Sequence, residues 1–519
     1  MSRTFICSNT EPIVETKAGK LRGYKIDGTY AFHGIKYADA KRFQMPTEVQ
    51  PWDGVKEATS YGYVSPLLKQ EQPSGEILVP HRYWPMDENC QYLNIWTQSI
   101  DKNAKKPILV WLHGGGFSAG SSIEQVAYDG ENMSKFGDVV VVSINHRLNI
   151  LGYLDLSPFG GKYKNSGNAG NADMVAALKW IQDNIENFGG DPDNVTIFGQ
   201  SGGGMKVWTL MQTPEADGLF HKGIIQSGLI DGFVATGKVD GTEIVKALLN
   251  ELGYGEGEVE KLETIPYPLL AEVYNKVSEK LAIEGHYVGC TPIQNDFYVG
   301  DPRVVGFTEH AKTIPIMIGT VFAEFPAFGP GIADKEKLSS EQIEELITKR
   351  YGEHSEKLIA LFKETYPEKN LTDLLFLDSL FRAPSIDFIA KKAEHQESPT
   401  YSYLFSLEFP YDGGRTAWHC SEIPFVFRNT DKVAVCNIPG VSDLLEKQMF
   451  DAWISFAKNG TPSSNDLPEW PACKPGDEAT MIFDRTCEVR RNYDHELIAL
   501  HSSVEPSFES IVKNEDIQH

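Results

Sequence analysis

The chain has little positive charge for its size and no cysteine spacing that implies a crosslink or a metal. Forty-eight lysines and arginines stand against 72 acidic residues, a formal net charge of −24 over 519 residues. That balance argues against gripping a phosphate backbone, so no nucleic-acid partner is expected. Seven cysteines (Cys7, Cys90, Cys290, Cys420, Cys436, Cys473, Cys487) are scattered without a C-x-x-C pair. An odd, unpatterned set reads as thiols in a reducing compartment, not as a disulfide framework or a zinc site. No apolar run reaches the roughly 20 residues of a membrane span. Met1 to Gly19 lacks a basic segment followed by an apolar one, so no signal peptide is read and a cytoplasmic location is expected. Sequons such as Asn194-Val195-Thr196 are then taken as chance. No repeat, low-complexity tract or linker divides the chain, and it is read as a single domain over residues 1–519. Its 41% hydrophobic content is enough for a large core.

What is present is organised around Asn194 to Lys206. Val195-Thr196-Ile197-Phe198 is a β-branched and aromatic run, a buried strand. It leads into Gly199-Gln200-Ser201-Gly202-Gly203, a G-x-S-x-G sequence. In that motif the chain turns sharply from strand to helix and lifts the serine hydroxyl off the strand end. The turn also sets Ser201 at a helix N-terminus, whose unpaired N–H groups favour developing negative charge.

In chain order, residues 13–60 read as short strands and turns, an antiparallel edge. Residues 61–90 carry Pro66, Pro73, Pro80 and Pro85 without periodicity, a long surface loop. Apolar strands follow at 92–96, 107–112 and 139–145, a helix at 173–188, and further strands at 195–198, 223–227, 315–319 and 401–405. Continuous apolar strands alternating with helices predict an α/β fold, with a large, mostly parallel sheet covered on both faces. Residues 330–398 read as a helical insertion that begins with a capping box at Ser339 and Gln342. A helix around 449–457 ends at Asn459-Gly460, and a strand covers 480–483.

A serine hydroxyl needs a base, an orienting acid and donors for the oxyanion. His113-Gly114-Gly115-Gly116-Phe117 follows the strand 107–112, and its glycines allow backbone N–H groups to turn inward with that of Gly202. In this fold the acid and the histidine follow the serine in that order. Glu324 lies just past the strand 315–319 among apolar neighbours, where an unpaired carboxylate is costly. His419 follows the strand 401–405. His354 and His395 lie on the insertion, and His495, His501 and His519 lie near the tail. Asp378 and Asp387 are rival acids on the insertion.

With those segments assembled, the chain resembles the type-B carboxylesterase (cholinesterase-like) family, on the side of the bacterial para-nitrobenzyl esterases. The resemblance spans nearly the full length. It rests on Phe32-His33-Gly34-Ile35-Lys36-Tyr37-Ala38, Glu88-Asn89-Cys90-Gln91-Tyr92-Leu93-Asn94, the His113 glycine run, Asn187-Phe188-Gly189-Gly190-Asp191-Pro192 and Gly218-Leu219-Phe220-His221. It implies an α/β-hydrolase fold and a serine carboxylesterase without metal or organic cofactor. It implies a triad of Ser201, Glu324 and His419, oxyanion donors at Gly115, Gly116 and Gly202, and Ser227 bonded to the triad acid. The expected substrate is a small uncharged carboxylic ester. Where cholinesterases carry an aromatic ring and a glutamate against the quaternary ammonium, this chain has Pro80 and Gln200, with Trp84 nearby. The acid-glycine step of the family reads Glu324-Phe325, and Lys36 stands for a proline. An amidase or lactonase would use the same triad. A non-catalytic cholinesterase-like binding protein is the rival from another class, against which the intact Ser201, Glu324 and His419 argue.

Overall fold

The computed structural model describes residues 3–69, 75–332 and 335–506. The chain forms two compact units, one of Met1–Ser74, His81–Ile224 and Phe233–Ile314, the other of Gly75–Pro80, Ile225–Gly232 and Pro315–His519.

In the first unit β2 (Ile13–Glu15), β3 (Lys20–Arg22) and β6 (Val55–Glu57) make a small separate sheet. The larger sheet is built from β1 (Phe5–Ile6), β4 (Tyr24–Ile26), β5 (Thr29–Lys36), β7 (Tyr92–Thr97), β8 (Lys106–Leu112), β9 (Val140–Ile144) and β10 (Gly190–Gln200), ordered β1-β4-β5-β7-β9-β8-β10. Pairing is antiparallel from β1 to β9 and parallel for β9–β8 and β8–β10. The apolar runs of β8 and β9 are wholly buried, as strands covered on both faces require. In β10, Phe198 lies opposite Trp111 and Gly199 opposite Leu112, so both strands end at the same level. The helix read at 173–188 begins earlier, spanning Ala169–Asn184, and its last turn is a tighter 3₁₀ segment, Ile185–Phe188. Asp173 on that helix takes the fully buried Arg147 guanidinium in a two-pronged bond of 2.7 and 2.8 Å. A buried charge is tolerated in such a matched fork.

The described residues of the stretch 61–90 contain no helix or strand, yet the stretch is not wholly a surface loop. Val64, Ser65, Leu78 and Val79 are buried, and the Pro66 carbonyl accepts from Asn149 Nδ2 at 2.8 Å. Irregular backbone can go inside where side chains satisfy it. Residues 70–74 of that stretch and 333–334 of the insertion lie outside the described residues.

β11 (Lys222–Gln226) runs from the first unit into the second. There β12 (Ile316–Val321), β13 (Thr400–Phe405) and β14 (Ala479–Phe483) pair in parallel, and β15 (Glu488–Arg491) closes the edge antiparallel to β14. Between β12 and β13 lie helices Ser340–Tyr351, Ser355–Thr365 and Arg382–Ala393. The first opens on the expected reciprocal cap of Ser339 and Gln342. Helix Ser442–Asn459 stops at Gly460, whose φ of 75° is the left-handed conformation that glycine adopts without strain. β15 and the terminal helix His495–Val504 are absent from the sequence reading, because their polar residues carry no clean period.

Candidate active site

Ser201 stands at the tip of β10 and opens helix Gly202–Met211, with φ 58° and ψ −127°. Side chains rarely adopt that conformation, and it persists where the surroundings dictate it. Here they do. A Cβ on Gly203 would lie 1.9 Å from the Leu112 carbonyl oxygen, so the helix can fold back against β8 only with a bare backbone. The segment after β8 turns immediately. Ser118 and Ala119 N–H both donate to the Gly115 carbonyl, at 3.1 and 2.9 Å, and Gly115 and Gly116 take φ of 79° and 60°. The structure brings Gly116 against Gly202, where an added Cβ would lie 2.2 Å from the Gly116 oxygen. Gln200 presents a neutral amide at this elbow, and a Cβ on Gly114 would lie 3.7 Å from its Oε1.

In the second unit Ser227, Glu324 and His419 form one hydrogen-bonded chain. Ser227 Oγ donates to Glu324 Oε1 at 2.6 Å, and Val321 N–H donates to the same oxygen at 3.0 Å. His419 Nδ1 bonds Glu324 Oε2 at 2.5 Å. The backbone fixes these side chains. His419 N–H donates to the Glu324 carbonyl at 3.1 Å, Ala323 N–H to Ala417 O at 3.0 Å, and Ser227 N–H to Gly319 O at 2.7 Å. Ser227, Glu324 and Cys420 share the positive φ seen at Ser201. Several of the rival groups are engaged elsewhere. Asp387 pairs with Lys391 at the surface, His495 with Glu478, and His501 with Ser379 and Tyr351. His519 lies outside the described residues.

Two further acids surround this pair. Asp378 is buried with its Oδ2 accepting from the Phe381 and Arg382 N–H groups, and Glu422 is buried with Oε1 accepting from Gln226 Nε2 at 3.1 Å. Burial raises Glu324, the Ser227 and Val321 donors opposing it. Burial and the Glu324 charge raise Asp378 in turn and push Glu422 to about 7. Like charges this close do not all ionise together. Burial pushes the His419 imidazole down to about 4, with Glu422 and Asp378 pulling the other way. The ring therefore rests neutral, and the tautomer with its proton on Nδ1, toward Glu324, is the one in which Nε2 can accept a proton. Two rings flank it, Phe325 at 4.5 Å and Phe381 at 5.1 Å between centroids. Phe325, the residue at the family's glycine step, is 48% exposed.

The profile of the carboxylesterase family matches residues 10–500. The chain belongs to the carboxylesterase family. The para-nitrobenzyl esterase of Bacillus subtilis (strain 168) is 32% identical over 94% of this chain and 98% of its own length. The phenmedipham hydrolase of Pseudarthrobacter oxydans is 31% identical over 93% and 97%. Among solved structures, an esterase from anaerobic Clostridium hathewayi that can hydrolyze aliphatic aromatic polyesters superposes with a TM-score of 0.95 at 57% identity, covering 97% of this chain and all of that one. The fold is thus the α/β-hydrolase fold, a large mixed sheet with helices, and the protein is a carboxylic ester hydrolase. No described helix of this carboxylesterase is long and apolar enough to cross a membrane.

Sequence reasoning passed over Lys206 and Glu422, and it named Asp378 only as a rival acid on the insertion. Lys206 left one signal, a charge in an otherwise uncharged helix directly after the serine. Glu422 left none, since nothing separates it by sequence from the other acidic residues.

Proposed function

We propose that this carboxylesterase hydrolyses small uncharged esters by acyl transfer through Ser201. The Ser201 oxygen attacks the ester carbonyl carbon while His419 Nε2 takes its proton, and the carbonyl π pair moves onto oxygen. The N–H groups of Gly115, Gly116 and Gly202 receive that oxyanion. Collapse breaks the bond to the alkoxy oxygen, which leaves as alcohol with the proton from His419. Water, deprotonated by His419, then cleaves the acyl-serine and restores the enzyme. Glu324 holds the His419 tautomer throughout, and Ser227 holds Glu324. The observation that supports this reading most is the buried Glu324–His419 bond in a chain whose serine stands on a strained elbow.

Aryl esters are the favoured class. The exposed Phe325 ring beside His419 offers a flat apolar face, and the Clostridium hathewayi structure is described as acting on aliphatic aromatic polyesters. The seven cysteines, none joined in a disulfide, support a cytoplasmic location, for which thiol titration of denatured, unreduced protein should find seven thiols. The test of the mechanism is Ser201→Ala, which should keep the fold and lower kcat by roughly four to six orders of magnitude. Retained turnover would remove Ser201 from its role. Matched aryl amides and lactones, run beside the esters, decide between an esterase and the amidase or lactonase reading.

A further inference from the structure

Lys206 sits five residues after Ser201 on helix Gly202–Met211 and has no solvent exposure. An ammonium in such a place is costly unless something compensates it. Its Nζ donates to the His113 carbonyl oxygen at 2.8 Å, and the Phe117 ring centre lies 6.0 Å away. That carbonyl belongs to the peptide group whose N–H is that of Gly114. The ammonium is therefore fixed to the base of the turn that carries Gly115 and Gly116, from the helix that begins at the serine.

The charged and titratable groups that face it are few. His113 and His146 stack at 5.2 Å, and the Nδ1 of each bonds a backbone carbonyl at 2.9 Å, Gly114 and Arg147 respectively. Both are held well below the ordinary imidazole value, first by burial and then by Lys206, so neither adds charge. The Arg147 guanidinium is matched by Asp173. Glu124 is the carboxylate whose field favours the ammonium, yet burial outweighs it and pushes Lys206 down to about 7.

We propose that Lys206 is a positioning residue for ester hydrolysis: its ammonium, bonded to the His113 carbonyl, holds the glycine turn in the shape that presents the Gly115 and Gly116 N–H groups to the oxyanion, and loss of its proton weakens that hold. This rests on the reading of those glycines as oxyanion donors. In a site with little water, a fixed positive charge favours the negative transition state more than the neutral ester. The ammonium touches no reacting atom, so its effect falls on kcat and not on KM.

The experiment measures kcat and KM for p-nitrophenyl butyrate from pH 5.5 to 9.5, in the full chain and in Lys206→Met, with folding checked by circular dichroism and Ser201→Ala as control. The wild-type kcat should fall about ten-fold on the alkaline side with a midpoint near 7, at nearly constant KM. Lys206→Met should be about ten-fold slower at pH 6 and lack that alkaline limb. A folded Lys206→Met with wild-type kcat, or with the same alkaline limb, overturns the proposal. If Lys206→Met does not fold, Lys206→Arg, which keeps its charge throughout this range, decides: loss of the alkaline limb upholds the proposal, whereas an unchanged limb, or a wild-type kcat flat from pH 6 to 9, overturns it. An inactive Ser201→Ala beside a fully active Lys206→Met rejects Lys206 alone, whereas an active Ser201→Ala rejects the underlying site.

Discussion

At the scale of single residues, the chemistry depends on how burial treats charge. Glu324 has no exposure and accepts from Ser227, Val321 and His419. Glu324→Gln preserves shape and most of the packing, yet removes the acceptor that keeps the His419 Nδ1 proton in place. It should lower kcat by about 10³ to 10⁴ with the melting temperature nearly unchanged, as steady-state kinetics beside a thermal melt would reveal. An equal loss from Asp378→Asn with Glu324→Gln active would transfer the role to the neighbouring acid. His419 must be neutral to act as base, and burial favours that form. The acid limb of kcat/KM therefore belongs below the ordinary imidazole value of about 6.5. A limb at or above 6.5 would mean that the surrounding carboxylates outweigh burial.

At the scale of elements, several of the proposed site residues stand at or just past a strand end. Ser201 follows β10, Ser227 follows β11, Glu324 lies three residues past β12, and the His113 turn follows β8. The elbow depends on contact between helix Gly202–Met211 and the end of β8, so Gly203→Ala should force the two apart. We expect a loss of about 1 to 3 kcal/mol, read as a lower urea midpoint together with lower kcat. An unchanged midpoint would mean that the elbow relaxes freely. This geometry explains what was legible in the sequence. The runs at 107–112, 195–198 and 401–405 announced themselves because strands buried on both faces are mostly apolar, with only Thr196 and Ser402 as polar side chains in them. The glycines at 115, 116, 199 and 203 announced themselves because the turns admit no side chain. The stretch 61–90 was misjudged because its buried backbone is satisfied by distant side chains such as Asn149. β15 escaped because this edge strand, Glu488–Arg491, has no fully buried residue and is mostly charged. Lys206 and Glu422 escaped because their importance comes from where folding puts them.

At the scale of the whole molecule, the buried acids and the net charge act in the same direction. The folded state holds the Glu422 proton up to about 7, against an ordinary value of 4.5. The stability this provides is fully present below 4.5 and is lost as pH rises through 7. The difference amounts to about 3 kcal/mol, and Glu324 and Asp378 shift in the same sense. Glu478 works oppositely. Burial would raise it, but Arg382 and His495 hold it at about 2, so stability also falls on acidification below 4.5. Buried His33, His419 and His501, each pushed down to about 4, oppose this trend below 6.5, so the Glu422 contribution is read by difference: Glu422→Gln should lose less urea midpoint than the wild type between pH 5 and 8. An equal loss in both would mean that Glu422 ionises as readily as an exposed carboxylate.

The same scale governs substrate charge. A net charge of −24 attracts cations from afar, but salt screens that field beyond about 10 Å. Selectivity needs contacts, and at the elbow the neutral Gln200 lies where a carboxylate would assist a cation. Trp84 packs edge-on against Tyr61 at 5.6 Å, and Tyr61 stacks on His33 at 4.3 Å. Butyrylcholine should be turned over less well than an uncharged butyrate ester of similar leaving-group ability, since the lost cation–π contact and the lost charge lower the preference for choline esters by about one to three decades relative to a dedicated site. Equal kcat/KM would mean that a cation site exists after all.

The central claim is that Ser201 carries the acyl group while the His419–Glu324 pair handles its proton. It is tested most directly by reacting the native enzyme with diethyl p-nitrophenyl phosphate and mapping the adduct by mass spectrometry, with His419→Ala run in parallel. The account predicts one equivalent of p-nitrophenol released, a single diethylphosphoryl group on Ser201, and labelling slowed at least about a hundredfold in His419→Ala. A stoichiometric adduct on any other residue, or undiminished labelling of Ser201 without His419, would contradict it.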